Sequence, residues 1–209
     1  MCIRDRVDVA DDTARRMGAV NTVIVKTDGT LFGTNTDGYG FLENMREIIP
    51  GWRADTGPAV VLGAGGASRG VCVALLDEGA PVIRLVNRTG TRARSLATEL
   101  GRSIITVPWL DRESALEDAR LLVNATSLGM TGKGELNIAL AKLPVDAVVC
   151  DIVYTPTETQ LLVAAKARGN AVVDGLGMLL HQASPGFQAW FGTKPDVNLE
   201  LRNFMLEKL

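Results

Sequence analysis

The chain has 209 residues, 46% of them hydrophobic and 22% charged, with a formal net charge of −2. That balance lacks the basic footprint of a nucleic-acid partner, and no apolar run reaches the ~18 residues of a membrane span. Cys2, Cys72 and Cys150 are scattered and odd in number, and His181 is the single histidine, so no metal centre is expected and the thiols read as buried or incidental groups of a reducing cytoplasm.

Residues 1–6 lack the apolar core of a signal peptide and start no recognisable element; they read as a leader foreign to the rest of the chain. Residues 7–17 read as helical or irregular. Residues 18–26 form a predicted strand, Asp28-Gly29 a hairpin turn and Leu31-Phe32-Gly33 the returning strand. After a polar turn, Phe41, Leu42, Met45, Ile48 and Ile49 recur at helical spacing, and Pro50-Gly51 ends that helix. Residues 52–57 form a polar linker. From Pro58 the chain alternates: strand 59–62, helix 66–78, strand 81–86, helix 91–100, strand 103–107, helix 114–118, strand 121–124, a Gly- and Ser-rich loop, strand 147–151, helix 158–168 and strand 171–174. Such alternation predicts right-handed crossovers and a parallel sheet covered on both faces. Gly175-Leu176-Gly177 is expected to break the chain. Helices over 178–189 and 198–207 follow, with interruptions at Pro185-Gly186 and Lys194-Pro195.

The most informative stretch runs from Pro58 to Gly70. An apolar strand ends in Gly63-Ala64-Gly65-Gly66-Ala67, and the glycines lead into a helix. Glycines let the backbone approach a pyrophosphate, and the helix N-terminus offers free N–H donors. Gly63 and Gly65 hold the first two positions of G-x-G-x-x-G and Ser68 the third, so the match is imperfect and a plain tight turn is the alternative. The second strand then ends in Asn87-Arg88-Thr89-Gly90-Thr91-Arg92. An NAD site places an acid there for the ribose 2′-hydroxyl. Asn87 stands in its place, and Arg88, Thr89 and Arg92 suit a 2′-phosphate, which points to NADP(H). Otherwise Thr89 is a helix cap and the arginines are solvated surface.

Together, several motifs resemble the shikimate dehydrogenase family: Gly18-Ala19-Val20-Asn21-Thr22, Asn35-Thr36-Asp37-Gly38, the glycine loop, Asn87-Arg88-Thr89, Asn124-Ala125-Thr126-Ser127-Leu128-Gly129-Met130, Asp151-Ile152-Val153-Tyr154, and Gly175-Leu176-Gly177-Met178-Leu179 with Gln182. They run in the family's order from about Val7 to the end of the chain. The resemblance implies reversible NADPH-dependent reduction of 3-dehydroshikimate to shikimate in aromatic amino-acid biosynthesis, on the chorismate pathway. It implies a Rossmann-like, doubly wound α/β domain over residues 58–177, a remnant of an α/β substrate domain over 7–39, a connecting helix and linker over 40–57, and closing helices over 178–209. Asn21 and Asp37 would bind substrate hydroxyls, with Tyr154 and Gln182 closing the site. Gly63, Ala64, Gly65, Gly66 and Ala67 would hold the pyrophosphate, and Asn87, Arg88, Thr89 and Arg92 the 2′-phosphate. Ile152, Gly175 and Met178 would line the nicotinamide pocket.

These residue types agree with carbonyl reduction of a polyhydroxylated ring, which needs a proton for the developing alkoxide and fixed polar groups to select the hydroxyls. Read without the resemblance, Asp37 is a turn or cap residue, Tyr154 and Gln182 are packing and helix surface, and Met178 is core. The family's proton donor, a lysine in an N-V-T-x-P-x-K segment upstream of Gly18, has no counterpart among the 209 residues, nor have the serines that bind the substrate carboxylate. The expectation is therefore a chain shortened at its N-terminus that binds NADPH and turns over slowly, with Asp37 lacking its lysine partner and the hairpin left with an open edge. Two other readings stand beside it: a quinate/shikimate dehydrogenase with looser cofactor choice, and a non-catalytic NADP-binding module. The small-molecule substrate is the expected partner, and a homodimer is compatible with the sequence.

Overall fold

The structure, a computed structural model, describes residues 3–208, so Met1, Cys2 and Leu209 lie outside the described residues. Residues Ile3–Arg6 of the expected leader form a short 3-10 turn rather than no element at all. Two sheets follow. The smaller holds β1 (Val9–Ala10), β3 (Leu31–Thr34) and β2 (Thr22–Val25) in that order. The hairpin of β2 and β3 is antiparallel as expected, with Val23 opposite Gly33, while β1 adds in parallel to the far side of β3. Residues 7–17 thus divide into a strand and a helix, α1 (Asp12–Met17), and of the hairpin expected to have an open edge the β3 side is paired while the β2 side, among the described residues, is not. The edge strands are thus β1 and β2, and on β2 the Trp190 indole N–H donates to the Val23 carbonyl at 3.0 Å.

The larger sheet is wholly parallel, in the order β6-β5-β4-β7-β8-β9. Its strands are β4 (Ala59–Leu62), β5 (Ile83–Asn87), β6 (Ile104–Pro108), β7 (Leu121–Asn124), β8 (Val148–Asp151) and β9 (Val172–Val173). Counted from β4 this is the doubly wound order 3-2-1-4-5-6, in which ligands bind beyond the carboxyl ends of the strands where the order reverses. Because side chains alternate along a strand, Ala59 and Val61 enter one core layer and Val60 and Leu62 the other. The first layer packs under α2 (Asp37–Ile48), α3 (Gly66–Asp77) and α4 (Gly90–Leu100). The second packs under α5 (Gln160–Arg168) and the loops around it. Phe41 of α2 is fully buried and meets Trp52 edge to face, their centroids 6.4 Å apart, so the linker is anchored to the core.

Three expectations need correction. Residues 114–118 do not form an α-helix. Two 3-10 turns, Trp109–Asp111 and Ser114–Leu116, occupy this region, and Asp118 has φ 58°. Gly175-Leu176-Gly177 does not break the chain, because α6 (Leu176–Phe191) starts there, initiated by the Leu176 N–H donating to Asp174 Oδ1 at 3.0 Å. Nor do Pro185 and Gly186 interrupt α6; the helix runs through both, with Gly186 buried against Thr22. The last helix, α7 (Leu199–Leu206), joins through Arg202, which pairs with Asp174.

Candidate functional site

The glycine loop sits at the reversal of strand order. Gly63 has φ 109°, and a Cβ there would lie 2.7 Å from the Ala125 carbonyl oxygen, so both its conformation and its neighbour demand glycine. At Gly65 and Gly66, by contrast, a Cβ would meet nothing within 4 Å: their outer side is open space. The first helical hydrogen bond of α3 runs from the Arg69 N–H to the Gly65 carbonyl at 3.0 Å. The N–H groups before it have no intrahelical acceptor, which is the usual arrangement of an anion cradle. Ser68, at the imperfect position of the glycine pattern, is fully buried and donates from Oγ to the Gly63 carbonyl at 2.6 Å. The hydroxyl ties helix to loop where the pattern's third glycine would provide close packing.

A cleft of about 260 Å³ brings Gly63, Ala64 and Gly65 together with Asn87, Arg88 and Arg92. Its remaining wall is Trp109 and the loop Ala125–Leu128. Arg88 and Arg92 are exposed and form no ion pair among the described residues. Two unneutralised guanidiniums beside the end of β5 are a ready site for a phosphate dianion. Thr89 is exposed at the N-cap position of α4 but makes no side-chain cap bond; its carbonyl instead accepts from Asn87 Nδ2 at 2.9 Å. Gly66 and Ala67 lie on the first turn of α3, outside this cleft wall.

Asn21 and Asp37 meet directly. Asn21 Nδ2 donates to Asp37 Oδ1 at 2.8 Å. Asn21 Oδ1 accepts from the Thr36 N–H at 3.1 Å, Thr36 Oγ1 at 3.2 Å and Thr22 Oγ1 at 3.0 Å. Three donors on that oxygen fix the amide so that its nitrogen faces the carboxylate. Asp37 is the first residue of α2 and caps nothing; the Asx turn belongs to Asn35, whose Oδ1 accepts the Asp37 N–H at 2.9 Å. The strand end is aimed by Gly18, which closes α1 at φ 67° and leads into Asn21. No lysine pairs with Asp37 among the described residues.

α6 crosses α2 closely. A Cβ on Gly40 would lie 2.6 Å from Gln182 Cβ and from the Met178 carbonyl oxygen, so Gln182 and Met178 are held one helical turn from Asp37. The Gln182 amide donates to Leu179 O at 3.2 Å. Met178 is half-buried, packed at the margin of the first core layer together with Ile152. Gly175 is buried against the turn after β8: a Cβ would lie 2.3 Å from the Ile152 carbonyl oxygen and 2.7 Å from that of Val153. Tyr154 is half-buried two residues beyond Ile152, and its hydroxyl has no partner among the described residues. His181, the next residue to Gln182, reaches Glu47 of α2 at 2.6 Å.

Sequence reasoning gave no role to the group that joins the two turns. Asn124 and Asp151, both fully buried, end neighbouring strands in direct register. Asn124 Nδ2 donates to Asp151 Oδ1 at 2.9 Å and to Leu128 O at 3.0 Å, and its Oδ1 accepts from the Thr126 N–H at 3.1 Å and Thr126 Oγ1 at 2.7 Å. Asp151 further accepts from the Val153 N–H at 3.0 Å and Thr159 Oγ1 at 2.7 Å. Burial raises the Asp151 carboxyl above the usual carboxylate range, opposed by its hydrogen bonds from Thr159, Val153 and Asn124. Asn-x-Thr at a strand end is a readable turn signal; the carboxylate beneath it is not, because it joins from another strand. Cys72 and Cys150 are both buried, and desolvation raises each thiol, Cys72 to about 12, which leaves them unreactive.

The family model "Shikimate / quinate 5-dehydrogenase" matches residues 46–154. The chain is 57% identical over 200 residues to the shikimate dehydrogenase (NADP(+)) of Paramagnetospirillum magneticum, covering 96% of this chain and 72% of that protein. It is 54% identical over 207 residues to the enzyme of the same name from Rhodospirillum rubrum, covering 97% and 73%. Among solved structures it resembles shikimate 5-dehydrogenase from Thermus thermophilus in complex with NADP(H) and shikimate, at 40% identity and TM-score 0.80, covering 92% of this chain and 70% of that one. It also resembles quinate dehydrogenase from Corynebacterium glutamicum in complex with NAD, at 33% identity and TM-score 0.89, covering 98% and 73%.

Proposed function

The chain belongs to the shikimate dehydrogenase family, and on that premise we propose that it carries out the reversible NADPH-dependent reduction of 3-dehydroshikimate to shikimate. The observation that carries this reading is the single cleft in which the glycine loop meets Asn87 and two unpaired arginines. NADPH bound there supplies the hydride. The protein's own part is to bind and orient. Gly63 to Ala67 receive the pyrophosphate, with Gly65 and Gly66 as the open face of the loop, and Arg88 and Arg92 receive the 2′-phosphate with Asn87 and Thr89. Gly175, Ile152 and Met178 border the nicotinamide. Asn21 and Asp37 hold substrate hydroxyls, and Tyr154 and Gln182 close over them. A plain ketone would leave the second Asp37 oxygen and the remaining Asn21 N–H of this bonded pair without a partner, which is how such a site rejects it.

We read residues 7–39 as belonging to the substrate-binding part, 58–177 as the NADP domain and 178–209 as helices returning to the substrate side. α6 supports this, because it packs on α2 and its Trp190 bonds the β2 edge. No helix among the described residues is long and apolar enough to cross a membrane, and a cytoplasmic setting accords with the reaction. Asn87 in place of an acid, with Arg88 and Arg92 beside it, favours NADP over the NAD of a looser quinate/shikimate enzyme. The Asn21–Asp37 pair favours an enzyme over a cofactor-binding module, which has no use for it.

No lysine pairs with Asp37 among the described residues, and for a chain of these 209 residues alone proton delivery to the alkoxide falls to water. Loss of a positioned general acid costs roughly 10²–10⁴ in rate. The test is turnover of the purified chain beside the Paramagnetospirillum relative, followed by NADPH absorbance with shikimate, quinate and a simple cyclohexanol. Shikimate-dependent turnover lower than the relative's by that factor is expected. Equal rates would refute the impairment, and a preference for quinate would refute the substrate.

A further inference from the structure

We propose that Trp109 forms the adenine wall of the cleft, held in place by Arg112. This rests on the NADP reading above and adds to it a residue that reading does not include. β6 ends at Pro108, whose register partner is Asn87. Trp109 is therefore the first residue beyond the sheet edge, beside the strand end that carries Asn87. It borders the same cleft as Asn87, Arg88 and Arg92.

The 2′-phosphate and the base of NADP sit on adjacent ribose carbons. A phosphate held by Arg88 and Arg92 therefore brings the base within one ribose ring of them. The rest of the cleft wall is glycine, alanine, two hydroxyl residues and Leu128; Trp109 is its one aromatic side chain. A purine ring needs a flat apolar surface, and the indole supplies it.

The indole is braced before any ligand arrives. It is half-buried and packs against the second core layer, in company with Val107 and Leu128. The Arg112 guanidinium lies 5.2 Å from the ring centroid. Arg112 is itself tied down, donating from Nε to Asn137 O and from Nη1 to Trp109 O, each at 3.1 Å. Its side chain is only 19% exposed. Arg112 is thus a positioning residue, and Trp109 the one that touches the ligand.

The test measures binding of 2′,5′-ADP, which carries the base and the 2′-phosphate, and of reduced nicotinamide mononucleotide, which carries neither. Replacing an aromatic residue that stacks on a base with alanine weakens binding roughly ten- to a hundredfold. Trp109→Ala should weaken 2′,5′-ADP by about that factor and leave the mononucleotide unchanged, while Trp109→Phe should retain most of the affinity. Unchanged 2′,5′-ADP binding by Trp109→Ala, or equal losses for both ligands, would overturn the assignment. If Trp109→Ala fails to fold, fluorescence decides. 2′,5′-ADP should quench the parent's tryptophan emission and leave that of Trp109→Phe unquenched; equal quenching in both would overturn the assignment. A parent chain that does not bind 2′,5′-ADP at all would refute the NADP reading itself.

Discussion

Replacing Asn124 by alanine removes one side chain and four hydrogen bonds: to Asp151, to the Leu128 carbonyl, and from the Thr126 N–H and hydroxyl. At ~0.5–1.5 kcal/mol net for each, the loss is roughly 2–6 kcal/mol. Thr126 and Leu128 are half-exposed and regain water, and Asp151 keeps Val153 and Thr159 as donors, so about 3 kcal/mol is expected. For a chain of 209 residues this lowers the melting temperature by roughly 6–12 °C. Because Ala125–Leu128 line the cofactor cleft, NADPH affinity should fall with it. Asn124→Asp is the sharper version. It sets a second carboxylate against Asp151, and two such groups cannot both stay ionised cheaply. It should be less stable than Asn124→Ala at neutral pH and recover towards it as the pH falls. Thermal unfolding without nucleotide, with an NADPH titration, reads both effects. An alanine variant melting within about 2 °C of the parent and binding NADPH normally would refute the network's role; so would an aspartate variant that is the more stable of the two at neutral pH.

Two glycines should separate stability from binding. Gly175→Ala drives a methyl into the Ile152 and Val153 carbonyls and should cost about 3 kcal/mol or more in urea unfolding. Gly65→Ala meets no protein atom within 4 Å; its melting temperature should hold while NADPH affinity drops at least tenfold in calorimetry, about 1.4 kcal/mol. The Asp151 carboxyl, raised by burial, makes the folded chain hold a proton that the unfolded chain releases near pH ~4. Its contribution is therefore full below that pH and is lost as pH rises through the folded value. Asp151→Asn should remove that falling slope from urea stability measured against pH, and an identical slope in the variant would show that another group causes it.

Local signals carried most of the fold. The run Ala59–Leu62 is buried at every position, and the sequence marks its bounds because a glycine cluster follows at once. Asp28-Gly29 placed the hairpin turn. The errors fall where tertiary packing overrides local preference. Pro185 lies inside α6, and Gly177 is helical although a Cβ there would meet the Asn44 side chain. These residues look like breakers in sequence, yet they are small or rigid where α6 must approach its neighbours. β1 is two residues long and exists only through its pairing with β3, so nothing local announces it. In the site, the glycines and arginines were legible because consecutive residues carry each group. Trp109, beyond the end of β6, and the group of Asn124, Asp151 and Thr159, drawn from two strand ends and a helix N-cap, were not, since nothing local links them to the site. Without the family resemblance Asp37 reads only as a turn residue, because its partner Asn21 lies 16 residues earlier, before β2.

On the proposed reading, the cofactor half of the site is complete and built for a 2′-phosphate. Calorimetric titration of the purified chain with NADPH and with NADH tests this directly, in the parent and in Arg88→Gln/Arg92→Gln. Hydrogen bonds to charged groups contribute ~1.5–3 kcal/mol each, so the parent should prefer NADPH by at least about a hundredfold, and the double variant should bind both alike through loss of NADPH affinity alone. Equal binding of the two cofactors by the parent, or a preference that survives the double substitution, would contradict it.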